Sequence, residues 1–251
     1  MTHLAHLTSP ALAALIAGSR TAVAVVPVGA VEPHGPHAPL GTDLMISEGV
    51  CSRAAEALAG DGSVAVLVAP ALPYGVTRYG AAFPGAVGIA EETLAALVGD
   101  VCRSLGREGV TRIALVNSHF EPEHLATLRT AADALTGEGL HVAVLEPTRR
   151  ANAARLTDEF RSGSCHAGRY ETSLVLADAP ELIDVAAMAE LPELAVDMPA
   201  AMSEGRTDFV AMGMTQAYCG APAAATAEEG RETFATLTAM LVELVRDLAA
   251  R

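Results

Sequence analysis

The sequence predicts an α/β fold built on a mostly parallel sheet with helices on both faces. Three observations predict it. Apolar runs of strand length recur at Thr21 to Val28, Ser63 to Ala69, Thr111 to Val116 and His141 to Leu145. Stretches with helical spacing and capping signals separate them, so strands and helices alternate. The runs are apolar throughout, the pattern of strands buried on both faces.

Residues 8–19 read as a short helix, with Thr8 or Ser9 as cap, Pro10 in the first turn and Gly18 at the end. Thr21 to Val28 is the first strand and stops at Gly29. Glu32, His34, His37 and Asp43 follow in a loop rich in Pro and Gly. Thr42 is the expected N-cap of a helix from Asp43 to about Leu58, closed by Gly60. After the second strand, Pro70 to Gly85 is a long loop, of a length that is usually functional in a compact domain. Glu91 to about Leu105 is helical. The third strand leads into Asn117-Ser-His-Phe-Glu-Pro-Glu-His124, and a helix runs from about Pro122 to Leu135.

Past Pro147 the pattern weakens. Arg149 to Phe160 reads as helical, Ser162 to Gly168 as a loop of small residues, and Tyr170 to Ala177 as a helix stopped by Pro180. Residues 190–224, rich in Pro, Met, Ala and Gly, carry no assignable pattern. Ala225 to Ala249 is a helix with Phe234, Leu237, Leu241 and Leu244 at helical spacing. No repeat or linker stands out, and residues 1–251 read as a single domain.

Composition narrows the function. The chain is 51% hydrophobic, enough for a large core, and its net charge is −14, from 30 acidic against 16 basic residues. It has no basic patch, so nucleic acid and anionic membranes are not expected partners. Cys51, Cys102, Cys165 and Cys219 are widely spaced with no CxxC, which argues against a zinc ribbon or a disulfide framework. Free thiols, a first segment without the features of a secretion signal, and no apolar run of bilayer length point to the cytoplasm.

In open α/β sheets ligands bind at the carboxyl ends of the strands. Glu32 and His34 follow the first strand, His119 and Glu121 the third, so both pairs fall on one rim. In extended chain, residues i and i+2 point the same way, so each pair can aim at a common point. Asp43 sits at a helix N-terminus, where a carboxylate is favoured. Three carboxylates and two imidazoles suit zinc, manganese or iron(II). Five ligands are too many for one tetrahedral zinc and suit two ions sharing Asp43, about 3.5–4 Å apart with a hydroxide between them.

Further along, Pro27-Val-Gly-Ala-Val-Glu-Pro-His-Gly-Pro-His with Thr42-Asp43, Leu72-Pro-Tyr-Gly, Phe83-Pro-Gly85, Asn117-Ser-His119, His166-Ala-Gly with Glu171-Thr-Ser173, and Ala225-Thr-Ala-Glu-Glu-Gly230 run through nearly the whole chain. As an ordered set they resemble the creatininase family of metal-dependent amidohydrolases. The resemblance implies a three-layer α/β/α sandwich and a homo-oligomer, usually a hexamer built from dimers. It implies two divalent metal ions, zinc first, manganese or iron otherwise. Glu32, Asp43 and His119 would hold one, and His34, Asp43 and Glu121 the other. His166 would shuttle a proton to the leaving nitrogen, with Glu121 as the second catalytic group. The implied reaction is cleavage of a C–N bond in a small amide, lactam or formamide by a metal-bridging hydroxide.

Other features divide the family. Asn117-Ser-His-Phe-Glu-Pro122 is nearer the Asn-Gly-His-Tyr-Glu-Asn of creatininase proper than the Asn-Gly-His-Gly-Gly-Asn of mycofactocin-type peptidases and formamidopyrimidine deformylases. Yet creatininase closes over its substrate with tryptophans, and this chain has none. His166-Ala-Gly-Arg-Tyr-Glu-Thr-Ser and the C-terminal segment look more like the mycofactocin-type members. A peptidase trimming a modified peptide is therefore the alternative enzyme, and a non-catalytic ligand-binding relative the alternative of another class.

Several residues keep two readings. Tyr74, Tyr79 and Phe83 on the long loop, with Phe120 beside His119, are candidates for a substrate wall. His124 either lines the pocket or faces solvent. Glu171 orients His166, contacts a metal or caps its own helix. His37 is a hydrogen-bonding residue near the site or a structural one, and Cys165 a nucleophile or a small buried residue. Met188, Met198, Met202, Met212 and Met214 read as packing residues. His3, His6 and His141 read as surface or packing residues.

Overall fold

A parallel sheet lies at the centre of the structure, a computed structural model that describes residues 2–251. Its strands are β1 (Thr21–Val28), β2 (Val64–Val68), β3 (Arg112–Asn117) and β4 (His141–Leu145), in the order β2-β1-β3-β4. The helices are α1 (Ser9–Ile16), α2 (Thr42–Ala57), α3 (Glu91–Arg107), α4 (Pro122–Gly137), α5 (Arg150–Ala153), α6 (Asp158–Ser162), α7 (Arg169–Asp178), α8 (Val185–Ala189), α9 (Met198–Ser203) and α10 (Ala227–Ala249).

Strand alternation splits the apolar runs into two cores. Val23, Val25, Ala114 and Val116 pack with Ile46 and Val50 of α2, Leu174 of α7 and Phe234, Leu237 and Leu241 of α10. Ala24, Val26, Ile113 and Leu115 pack on the other face with Leu94 and Val98 of α3 and Leu128 and Leu135 of α4. The result is the α/β/α sandwich expected. β2 is an edge strand, yet it is buried throughout, because the N-terminal segment covers it: Val68 N donates to Thr2 O at 2.9 Å.

Pro27 sits in the central strand, where a missing N–H usually breaks a ladder. Its carbonyl accepts from Leu72 N at 2.9 Å, on the side where the register with β2 has already ended at Val68. No β3 pairing is therefore lost.

Local chemistry sets the helix ends, with some departures from expectation. Thr8 caps α1 through Ala11 N, and Thr226 caps α10 through Glu229 N at 3.1 Å, so α10 begins two residues after the expected Ala225. Thr42 is not the cap of α2. Gly41 holds that place, and the Thr42 hydroxyl donates back to Pro39 O at 2.7 Å. The single helix expected over Arg149 to Phe160 is two, because Thr157 starts α6 afresh by accepting from Phe160 N. Residues 190–224 contain α9 and are otherwise held by distant backbone bonds, such as Gly220 N to Leu194 O at 2.7 Å and Phe209 N to Tyr79 O at 2.9 Å. Among the described residues no helix is long and apolar enough to cross a membrane.

The strand order places the functional residues. From β1 the chain passes to β2 on one side, then crosses to β3 on the other. That reversal opens a crevice at the carboxyl ends of β1 and β3, where such sheets bind ligands.

Candidate metal centre

Into that crevice β1 sends Glu32 and His34, α2 sends Asp43, β3 sends His119, and the turn before α7 sends His166, with Glu171 from α7 itself. All six side chains are buried. The close approach of β1 to α2 requires Gly29, since a Cβ there would meet Leu44 N at 2.7 Å.

Each imidazole has one nitrogen committed to a backbone carbonyl. His34 Nδ1 donates to Glu32 O at 3.0 Å, His119 Nε2 to Val76 O at 2.8 Å, and His166 Nε2 to Pro33 O at 3.0 Å. A carbonyl can only accept, so the bonded nitrogen carries the proton and the other nitrogen faces the carboxylates. His34 Nε2 lies 3.2 Å from Asp43 Oδ1 and 3.5 Å from Glu171 Oε2. His119 Nδ1 lies 3.2 Å from Glu32 Oε1 and 3.1 Å from Asp43 Oδ2. His166 Nδ1 faces Glu32 Oε1 at 3.7 Å.

The carboxylates are held from behind. Glu32 Oε2 accepts from the Thr77 hydroxyl at 2.6 Å, and Glu171 Oε2 from Ala167 N at 2.7 Å. Ala167 has φ 51°, a left-handed conformation that favours glycine, so backbone strain is stored beside the centre. Glu159 fixes this corner by accepting from Arg169 N, Tyr170 N and Ala221 N.

Ligand atoms of Glu32, Asp43 and His119 lie within 4.8 Å of one another, as do those of His34, Asp43 and Glu171, and those of Glu32, His34 and His166. The first two sets share Asp43. His34 Nε2 and Asp43 Oδ2 are buried without a hydrogen-bond partner, although they point into the cluster. Buried carboxylates without Arg or Lys among them demand positive charge. Burial alone would discharge His34, but Asp43, Glu171 and Glu32 raise its pKa to about 10. Burial opposes the charge on His119 too, and Glu32 and Asp43 overcome it. Burial raises the Glu171 carboxyl to about 8 against the pull of His34. Mixed N/O donors that converge on a shared carboxylate, with orphaned buried atoms among them, fit divalent cations, which would take the place of the protons on His34 and His119.

Glu121 lies elsewhere. Its carboxylate accepts from Arg78 N at 2.8 Å and Tyr79 N at 3.2 Å, and its nearest approach to His119 is 3.9 Å. The i, i+2 expectation assumed extended chain, but β3 ends at Asn117 and Glu121 is already the N-cap residue of α4, turned toward the 76–79 loop. Glu171 stands beside His34 and Asp43 where Glu121 was expected.

A cavity of about 240 Å³ opens on this cluster. Of the expected wall residues, Tyr79 and Phe120 line it, as do Glu121 and Glu171. Tyr74 does not: it is 46% exposed, next to Gly75, where a Cβ would meet the His124 ring at 2.6 Å. Phe83 packs beside the Tyr79 and Phe209 cluster, outside the lining. His124 is fully buried, neither lining nor exposed: its Nδ1 accepts from Val76 N and its Nε2 donates to Asn117 Oδ1 at 2.9 Å. His37 bonds Thr172 Oγ1 at 2.8 Å.

Sequence reasoning missed Phe160, Arg161 and Phe209 as lining residues and gave Met198 and Met202 to packing, whereas they also face the cavity. No local signal marks them, because their positions depend on long-range contacts. Cys165 lines the cavity, and burial pushes its thiol well above the usual range, so it is no ready nucleophile.

The creatininase family, described as creatinine amidohydrolase, matches residues 5–245. The mycofactocin precursor peptide peptidase of Mycolicibacterium smegmatis is 31% identical over 87% of this chain and 82% of that protein. The creatinine amidohydrolase of Pseudomonas putida is 31% identical over 68% of this chain and 69% of that protein. Among solved structures, a creatinine amidohydrolase (creatininase) superimposes with TM-score 0.74 at 26% identity, covering 98% of this chain and 97% of that one. A manganese creatininase gives 0.73 at 26% identity, covering 98% of each chain.

Proposed function

Because this chain belongs to the creatininase family, whose hydrolase fold it shares, we propose that it cleaves the C–N bond of an amide at a centre of two divalent cations. The observation that carries this reading is the pair of donor sets sharing Asp43. Glu32, Asp43 and His119 would hold one ion, and His34, Asp43 and Glu171 the other; zinc suits the donors best, with manganese or iron as alternatives. Such ions, when bound, polarise an amide carbonyl and make water reactive at neutral pH.

The chain's own residues supply the rest. Burial disfavours the charged form of His166 and lowers its pKa, so its imidazole is neutral with Nδ1 turned toward the centre. His166 is thus placed to take a proton and pass it to the departing nitrogen. Glu121 holds the Arg78–Tyr79 backbone, and with it the loop that carries Thr77 to Glu32 and Val76 to His119. Tyr79, Phe120, Phe160 and Phe209 exclude water from the scissile bond.

The small cyclic or formyl amide is the first substrate class, and a short peptide the second. The peptide reading is favoured by one observation: the mycofactocin peptidase similarity extends over 87% of the chain, against 68% for the creatinine amidohydrolase. Residues 1–251 would act as one catalytic unit within a cytoplasmic homo-oligomer, six copies by family resemblance, a state that light scattering measures. The deciding experiment strips the protein with a chelator, reloads it with zinc, manganese or iron(II), and assays creatinine, formamides and short peptides. Activity restored by metal supports the proposal. A fully loaded protein inert on every one of them leaves the non-catalytic reading.

A further inference from the structure

In an acidic chain, arginines without acidic partners stand out. Arg53 pairs with Asp178, Arg155 with Glu243, and Arg129 and Arg149 both with Glu146. Arg161, at the last turn of α6, has no carboxylate partner among the described residues. Its Nη1 donates to the Leu156 carbonyl at 2.7 Å, which anchors the guanidinium and leaves its remaining donors open. Among the described residues it is also the one Arg or Lys lining the metal-centre cavity.

The surroundings give that charge a purpose. The cavity that Arg161 shares with the donor cluster is also lined by Phe120, Phe160, Met198 and Met202, an apolar set. The rings of Phe120 and Phe160 meet edge to face at 5.7 Å, forming a firm aromatic surface. Arg161 is itself exposed, so a substrate carboxylate beside it keeps part of its water, but the apolar wall takes the rest and a charged partner compensates for the loss. A guanidinium fork is the partner whose geometry matches a carboxylate. A neutral cyclic amide would have no use for it.

We propose that Arg161 recognises a carboxylate on the substrate, so that the amide cleaved belongs to an anionic molecule with an apolar side chain: an N-acyl amino acid or the C-terminal residue of a short peptide. This deepens the hydrolase reading and rests on it.

The test compares two probes on the metal-loaded protein. N-acetyl-L-phenylalanine and N-acetylphenethylamine share the amide and the phenyl group, and only the first carries a carboxylate. Binding is measured by titration calorimetry for wild type, Arg161→Gln and Arg161→Lys, so the readout does not require turnover. Wild type is expected to bind the acid at least about tenfold tighter than the neutral probe, as one charge-assisted contact gives. Arg161→Gln should erase that preference and Arg161→Lys keep part of it. A wild type that does not discriminate, binds neither probe, or owes to the metals a preference that survives in Arg161→Gln overturns the inference. Hydrolysis of creatinine or peptides by the same preparations is scored separately, so that a failed hydrolase reading is distinguished from a failed role for Arg161.

Discussion

His119 and His124 hold opposite ends of one loop residue. The Val76 carbonyl accepts from His119 Nε2 at 2.8 Å, and the Val76 N–H donates to His124 Nδ1 at 3.2 Å. The two rings meet edge to face, with centroids 4.8 Å apart. Burial keeps His124 neutral, with the His119 charge adding to the effect, so it can accept that bond. The aim of His119 thus depends on a histidine that touches no other member of the cluster.

Removing that support should loosen the metal. His124→Ala is expected to weaken zinc or manganese affinity by roughly 10–100-fold, the usual cost of losing a group behind a ligand. Competition with a chromogenic chelator measures it. Unchanged affinity would show that His119 is aimed without the help of Val76.

Glu171→Gln should remove one of two ions. Its carboxylate faces His34 but not His119, whereas Asp43 faces both. Elemental analysis is expected to show about half the wild-type metal, with activity reduced at least about 100-fold, because two-ion chemistry needs both. Full metal content in this variant would place the second ion elsewhere.

Gly29→Ala should act through α2. The added Cβ would lie 2.7 Å from Leu44 N and 2.9 Å from Leu44 Cα, both backbone atoms that cannot swing aside. Pushing the helix start away costs about 1–3 kcal/mol and carries Asp43 with it. A lowered Tm together with weaker metal binding is the expected pair of results. A lowered Tm with unaltered metal affinity would separate helix position from the centre.

Acid should destabilise the metal-free protein through His37. Burial, reinforced by the His34 charge, lowers the His37 pKa from 6.5 to about 4. The unfolded chain therefore binds more protons between those values, so stability is intact above pH 6.5 and falls as the pH drops to 4. Each tenfold difference in proton affinity between the folded and unfolded chain is worth about 1.4 kcal/mol, so the loss approaches roughly 3 kcal/mol. Denaturant melts across that window should show a slope that flattens in His37→Gln. An identical slope in the variant assigns the acid response to other groups.

How much of this was legible follows from which contacts are local. The strands could be read because their runs are continuous, and Glu32, His34, Asp43 and His119 because each lies close after a strand end or at a helix start. Glu121 stands outside the donor sets because i, i+2 geometry holds only while the chain stays extended, and here it does not. Glu171 kept several readings, since only the fold brings α7 to α2. Residues 190–224 gave no pattern because bonds such as Gly35 N to Ala217 O at 2.8 Å, between residues far apart in the chain, hold them in place.

The cavity draws its chemistry and its far wall from different stretches of polypeptide. The residues of the donor sets belong to the sheet rim and the helices behind it, while Met198 and Met202 arrive on a segment tethered largely by its own backbone. Appetite can therefore drift without endangering reactivity. A library confined to those two positions would retune which molecules are admitted, and related enzymes could diverge in diet by exchanging this one segment.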